Sequence, residues 1–186
     1  MSRRSTDAFT RIYEERVSQV YAFFGYRLGS REDAEDLTQL TFERALKAWD
    51  RFDSRRASAS TWLMAIARNL LVDHYRSGSR ERHQPLGPEG VGETALGLES
   101  PHESGVGISP DLEEALSRLG KRDRELVALR FGADLSGPEI AELTGLKLAN
   151  VQQILSRSLR KLRIELDAAE SEHISQPALK QLARSA

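Results

Sequence analysis

Asn150, Gln152, Gln153, Ser156 and Arg157 fall within eight consecutive residues and offer amides, a hydroxyl and a guanidinium from one predicted helix. Gln pairs bidentately with adenine and Arg with guanine, each giving about 1–3 kcal/mol of base discrimination. Arg160, Lys161 and Arg163 follow, better suited to phosphates than to base edges. The chemistry on offer is the reading of duplex DNA, not the making of bonds. Residues 135–163 hold these groups as a short helix, a glycine turn and a longer basic helix. Ser136 and Glu139 have capping-box spacing, with Pro138 in the first turn and Gly145 at the turn. Val151, Leu155, Leu159 and Leu162 form the inward stripe of the second helix, which gives a helix-turn-helix. An ordinary helical hairpin with a solvated basic face has a similar pattern, so the rest of the chain must arbitrate.

The chain has 186 residues, 39% of them hydrophobic and 30% charged, which fits one large or two small globular domains. The absence of cysteine excludes disulfides and thiolate chemistry and makes a cytoplasmic location the expectation. No run is apolar enough for membrane insertion or a secretory signal. The net charge of −1 conceals local imbalance. Residues 1–76 carry 13 basic and 11 acidic side chains, and residues 116–163 carry ten and five. Residues 77–115 between them carry two and eight. Phosphate attraction is local, so two basic segments flanking an acidic one say more than the total does.

The elements follow from periodicity. Phe9, Ile12, Tyr13, Val17, Val20, Phe24 and Leu28 recur at helical steps over residues 7–29, and Gly29 closes that helix. Ser30 caps a second helix, from Arg31 to about Trp49, turning Ala34, Leu37, Thr41 and Ala45 inward. A third, from Thr61 to about Arg76, buries Leu63, Ile66, Ala67, Leu70 and His74. Residues 77–109, rich in Gly, Pro, Ser and Glu, read as a flexible linker. Ser109-Pro110 restarts helix, with further segments at about 110–119, 122–131, 137–144 and 148–166. The tail 167–186 is polar and broken by Pro177. The predicted fold is all-α, two small helical bundles joined by the linker, the second holding the helix-turn-helix.

Two segments resemble the extracytoplasmic-function group of bacterial RNA polymerase sigma factors. Asp33-Ala-Glu-Asp-Leu-Thr-Gln39, Thr41-Phe42, Thr61-Trp-Leu-Met-Ala-Ile-Ala-Arg-Asn69 and Asp73-His-Tyr-Arg76 look like that family's second region. Leu119 to Arg163 looks like its fourth. The resemblance implies a subunit that brings core RNA polymerase to promoter DNA. Residues 1–76 would grip the polymerase clamp helices and the melted −10 element, and residues 110–166 would read the −35 element and meet the polymerase flap. An anti-sigma factor is the implied regulator.

The residues support these roles separately. Glu35, Asp36, Gln39, Leu40 and Glu43 form a polar face around a leucine expected to be exposed, which suits docking on polymerase. For −10 DNA the candidates are Arg55 and Arg56 for phosphates, Ser58 and Ser60 just before the third helix, and Thr61, Arg68, Tyr75 and Arg76 along it. Trp62, beside Leu63 and Ile66, is expected in the core. For −35 DNA they are Asn150, Gln152, Gln153, Ser156, Arg157, Arg160 and Lys161. The family usually has an acid at Leu40, a threonine at Asn150 and a basic, small, basic run where this chain has Gln152-Gln153-Ile154. Its usual −35 sequence therefore does not transfer by resemblance. The competing reading is a transcription regulator that binds duplex DNA without being a polymerase subunit. An enzyme is not expected: His74, His83, His102 and His173 are scattered, and no metal-ligand spacing, nucleophile motif, cofactor loop or small-molecule site appears.

Overall fold

The computed structural model describes residues 3–81 and 108–182, so most of the predicted linker and the last four residues lie outside it. Among the described residues the fold is entirely helical. The first bundle contains α1 (Arg3–Arg27), α2 (Arg31–Ala48), a 3-10 turn at Trp49–Arg51 and α3 (Ala59–Glu81). The second contains α4 (Pro110–Ser117), α5 (Lys121–Val127), a π-helical turn at Ala128–Gly132, α6 (Gly137–Thr144) and α7 (Leu148–Leu182).

The caps are those that the side chains dictate. Ser30 accepts the amide of Asp33, and Ser109 accepts that of Leu112 ahead of Pro110. Ser136 and Glu139 form the reciprocal capping box of α6, which ends at Gly145 with φ 71°. Several boundaries differ from the sequence reading: α1 starts at Arg3 instead of residue 7, and α3 runs on to Glu81, into the predicted linker. The third helix starts earlier, at Ala59, because Ser58 caps it by accepting the Thr61 amide at 3.1 Å. The helix expected over 122–131 widens after Val127 into the π turn, closed by the Ala133 amide on the Ala128 carbonyl. The last helix does not stop near residue 166 and runs through Pro177, since Leu166-Asp-Ala-Ala-Glu170 contains good helix formers and no glycine.

The two bundles are packed against each other, which the sequence did not disclose. One continuous core joins Val20, Phe23, Phe24, Leu37, Leu63 and Leu70 of the first to Leu126, Leu129, Leu135, Ile140 and Val151 of the second. A smaller cluster of Ala115, Leu116, Leu119, Val127 and Leu162 ties α4 and α5 to α7. At the seam the π turn lies directly on α1. A Cβ at Gly132 would stand 2.9 Å from the Phe23 amide nitrogen and 3.0 Å from the Ala22 carbonyl carbon and oxygen. Backbone meets backbone there, and only glycine leaves room. Phe23, absent from the predicted stripe of α1, is fully buried. Burial of such a side chain contributes about 1.5–3 kcal/mol.

Two inward assignments also change. Ser158, not Leu159, completes the buried side of α7 with Val151 and Leu162, because 158 lies seven residues from 151 and 159 a further 100° round. His74 is half-buried at an edge, its Nε2 3.9 Å from the Asp33 carboxylate, while Leu71 occupies the core.

The packing at residue 132 gives a direct test. Gly132→Ala is expected to destabilise the protein by about 1–3 kcal/mol through overpacking, measured as a lower denaturant midpoint by circular dichroism. An equally large loss for Gly120→Ala, where nothing lies within 4 Å of the added carbon, would contradict the steric account.

Candidate nucleic-acid interface

The seven predicted groove-facing residues of α7 stand together on an open surface. Asn150, Gln152, Gln153, Ser156, Arg157, Arg160 and Lys161 are all exposed, while Val151, Ser158 and Leu162 anchor the opposite side. The capping box fixes α6 and Gly145 turns the chain, so the angle between α6 and α7 is set locally. Nη2 of Arg157 donates to both oxygens of Asp123 at 3.0 and 3.1 Å. That carboxylate, reaching from α5, orients the guanidinium across the helix surface.

The −10 candidates divide into two groups. Arg55, Arg56 and Arg76 are exposed. Arg55 forks onto Asp53, with Nε and Nη2 at 3.0 and 2.9 Å and its own amide at 3.0 Å. This bonding lowers the Asp53 pKa and raises that of Arg55, and it fixes the loop before α3. Of the others, Ser58, Thr61 and Arg68 meet the second bundle, while Ser60 and Tyr75 are half-buried. Ser58 Oγ donates to Glu139 at 3.2 Å and shares a 2.9 Å hydrogen bond with Thr61 Oγ1. Thr61 is only 6% exposed, and Ser60 is half-buried. Arg68 donates from Nε to Glu125 at 2.6 Å and from Nη1 to the Leu143 carbonyl at 2.8 Å. Tyr75 donates to the Arg27 carbonyl at 3.0 Å. Trp62 is half-buried against Phe52 and Trp49, ring centroids 4.8 and 6.0 Å away.

On α2, Glu35, Asp36, Gln39, Leu40 and Glu43 are all exposed, Leu40 by 41%. Glu35 pairs with Arg31 at 2.7 Å, and Gln39 donates to Glu43 at 3.0 Å. Beside them an open groove of about 610 Å³ runs between α1 and α2, floored by Tyr13, Val17, Phe42 and Leu46. Tyr13, expected in the core, is 45% exposed at this groove. Among the described residues no acidic or histidine cluster could hold a metal, and no helix is long and apolar enough to cross a membrane.

Sequence models place these surfaces in known regions. Residues 12–81 match Sigma-70 region 2 and residues 110–162 match Sigma-70 region 4. The extracytoplasmic-function RNA polymerase sigma factor SigC of Mycobacterium tuberculosis is 31% identical, over 83% of this chain and 80% of its own. The chain belongs to the extracytoplasmic-function RNA polymerase sigma factors. The sigma factor BldN of Streptomyces coelicolor is 35% identical over 84% of this chain, which spans 59% of that relative's length. The fold is similar to that of the sigma factor RpoE from Bartonella quintana, solved in complex with the anti-sigma factor NepR. That match has a TM-score of 0.67 and 23% identity, covering 86% of this chain and 97% of the other.

Sigma factors are transcription initiation factors, and in this one sequence reasoning overlooked three acids. Asp123, Glu125 and Glu139 stand in an otherwise basic segment and each bonds a residue assigned to DNA. Their signal was that minority status. Ser136, first by its side chain and then by its backbone, holds the Glu139 carboxyl below its ordinary 4.5, and Ser58 and Thr61 lower it further. Its stabilising effect is therefore present above pH 4.5 and is lost as pH falls through the depressed folded value. Glu139→Gln is expected to flatten the acid side of the stability–pH curve, followed by urea titration from pH 6 downward. A curve parallel to wild type would refute the assignment.

Proposed function

We propose that this sigma factor binds core RNA polymerase through the exposed α2 face and directs initiation at promoters carrying its −35 and −10 elements. Residues 1–76 act as the polymerase- and −10-binding domain, 77–109 as the linker, 110–166 as the −35 domain and 167–186 as an accessory tail. The observation that carries the reading is the α7 surface: seven polar residues open to solvent on a helix braced by α6.

In this mechanism α7 enters the major groove at −35. Gln152, Gln153 and Arg157 read base edges, Asn150 and Ser156 add hydrogen bonds, and Arg160 and Lys161 hold phosphates. Arg55, Arg56, Arg68 and Arg76 supply cations along the melted −10 strand, where Ser58, Ser60, Thr61 and Tyr75 supply hydroxyls. Unpairing costs a few kcal/mol per extruded base, and these contacts offset it. Polymer synthesis belongs to the polymerase, so the chain itself is not an enzyme and needs neither metal nor cofactor. It acts in the cytoplasm, under an anti-sigma factor like the one bound to its structural relative.

Run-off transcription with core polymerase on a randomised promoter library tests this. Specific transcripts are expected, and their absence in purified components would overturn the proposal. Within the selected promoters, Gln152→Ala, Gln153→Ala or Arg157→Ala should each relax one −35 position by about 5- to 150-fold, equivalent to about 1–3 kcal/mol. Asp36→Ala with Leu40→Ala should weaken core binding in a direct titration, and unchanged affinity would remove α2 from the polymerase contact.

A further inference from the structure

We propose that the helix-turn-helix bundle doubles as an internal substitute for promoter DNA, its carboxylates occupying the −10 groups where strand phosphates would bind. Glu125 takes the Arg68 guanidinium at 2.6 Å, and Glu139 takes the Ser58 hydroxyl at 3.2 Å. The Leu143 carbonyl fills a second donor of Arg68. A carboxylate and a phosphate present the same anionic oxygens to a guanidinium, so the two compete for it. The inference rests on the −10 assignment above and adds a regulatory role to it.

The occlusion is one-sided. Arg68 and Thr61 are screened by the second bundle, yet the seven-residue surface of α7 remains open to solvent. The closed chain can therefore offer duplex-reading groups while Arg68, Ser58 and Thr61 of its single-strand grip are already engaged and Arg55, Arg56 and Arg76 stay exposed. The seam that maintains closure is also imperfect. Arg27 donates to the Lys121 carbonyl and Arg124 to the Tyr26 carbonyl, crossing the seam in opposite directions. These two guanidiniums are 8% and 7% exposed, and Nε of Arg27 has no hydrogen-bond partner. Neither has a carboxylate within salt-bridge distance among the described residues. Buried cations held by carbonyls, the Tyr75 ring and the more distant Glu113 carboxylate, with no direct ion pair, oppose the apolar contacts around Gly132 and leave the closed form able to open.

The test measures binding of a fluorescent, randomised single-stranded 12-mer pool to the full chain without polymerase. Glu125→Gln with Glu139→Gln keeps side-chain size, and glutamine still completes the α6 capping box. Removing two acids raises general DNA affinity, so the control is Glu142→Gln with Glu170→Gln, two exposed acids outside the seam. The seam variant should bind about tenfold tighter than the control, the value of one charge-assisted contact released. Glu125→Gln alone, which leaves the α6 cap intact, should show part of that gain. Equal affinity of seam and control variants overturns the proposal. The −10 reading is checked apart from it in the assembled holoenzyme, where Arg68→Ala should abolish permanganate reactivity of opened promoter. Retained opening there removes the −10 assignment itself, whereas lost opening with no seam effect removes only the internal substitute.

Discussion

Everything in this molecule is arranged around the contact of the π turn with α1. Gly132 lies where any side chain would strike the Ala22 and Phe23 backbone, so the two bundles approach to main-chain distance. That approach seals Phe23, Leu129 and Leu135 in a shared core and brings α3 against α6. The Arg68–Glu125 and Ser58–Glu139 pairs follow from it, since partners 57 and 81 residues apart meet only through the seam. Local structure in each bundle, set by caps and stripes, would persist without the contact. The relation between the two surfaces proposed for promoter DNA would not.

The molecule treats the two surfaces proposed to meet DNA unequally. The α7 face is polar, solvent-open and stiffened by elements next to it in sequence, so its geometry owes little to the first bundle. The α3 face borrows neighbours from the other bundle for its hydrogen bonds. Reading a duplex needs a preformed helix, whereas gripping a single strand needs cations that can change partner, and each surface has the matching construction. Asp123 on Arg157 aims a side chain without burying it. Glu125 on Arg68 both aims and covers, with either side chain only about a quarter exposed.

Much of the local architecture was legible in the residues. Ser30, Ser109, the Ser136–Glu139 box and Gly145 announced their caps, because capping chemistry depends on a few adjacent atoms. The exposure of Leu40 followed from helical angle alone. What periodicity could not supply was anything fixed by tertiary contact. The π turn lies against α1, far away in the chain, and Ser158 looks polar until its position relative to Val151 is counted. Phe23 stood beside the predicted stripe because α1 buries two faces, one against each bundle. The pairings of Asp123, Glu125 and Glu139 with Arg157, Arg68 and Ser58 were hidden for the same reason: contacts across 34, 57 and 81 residues have no sequence period.

The shared core carries a thermal consequence. Parting the bundles would bring Phe23, Leu129 and their neighbours into contact with water, and hydrating apolar surface raises heat capacity. The balance between joined and parted forms must then curve with temperature, tightest at some intermediate point and looser on chilling as well as on warming. A seam made of leucine and phenylalanine therefore has a temperature of greatest cohesion.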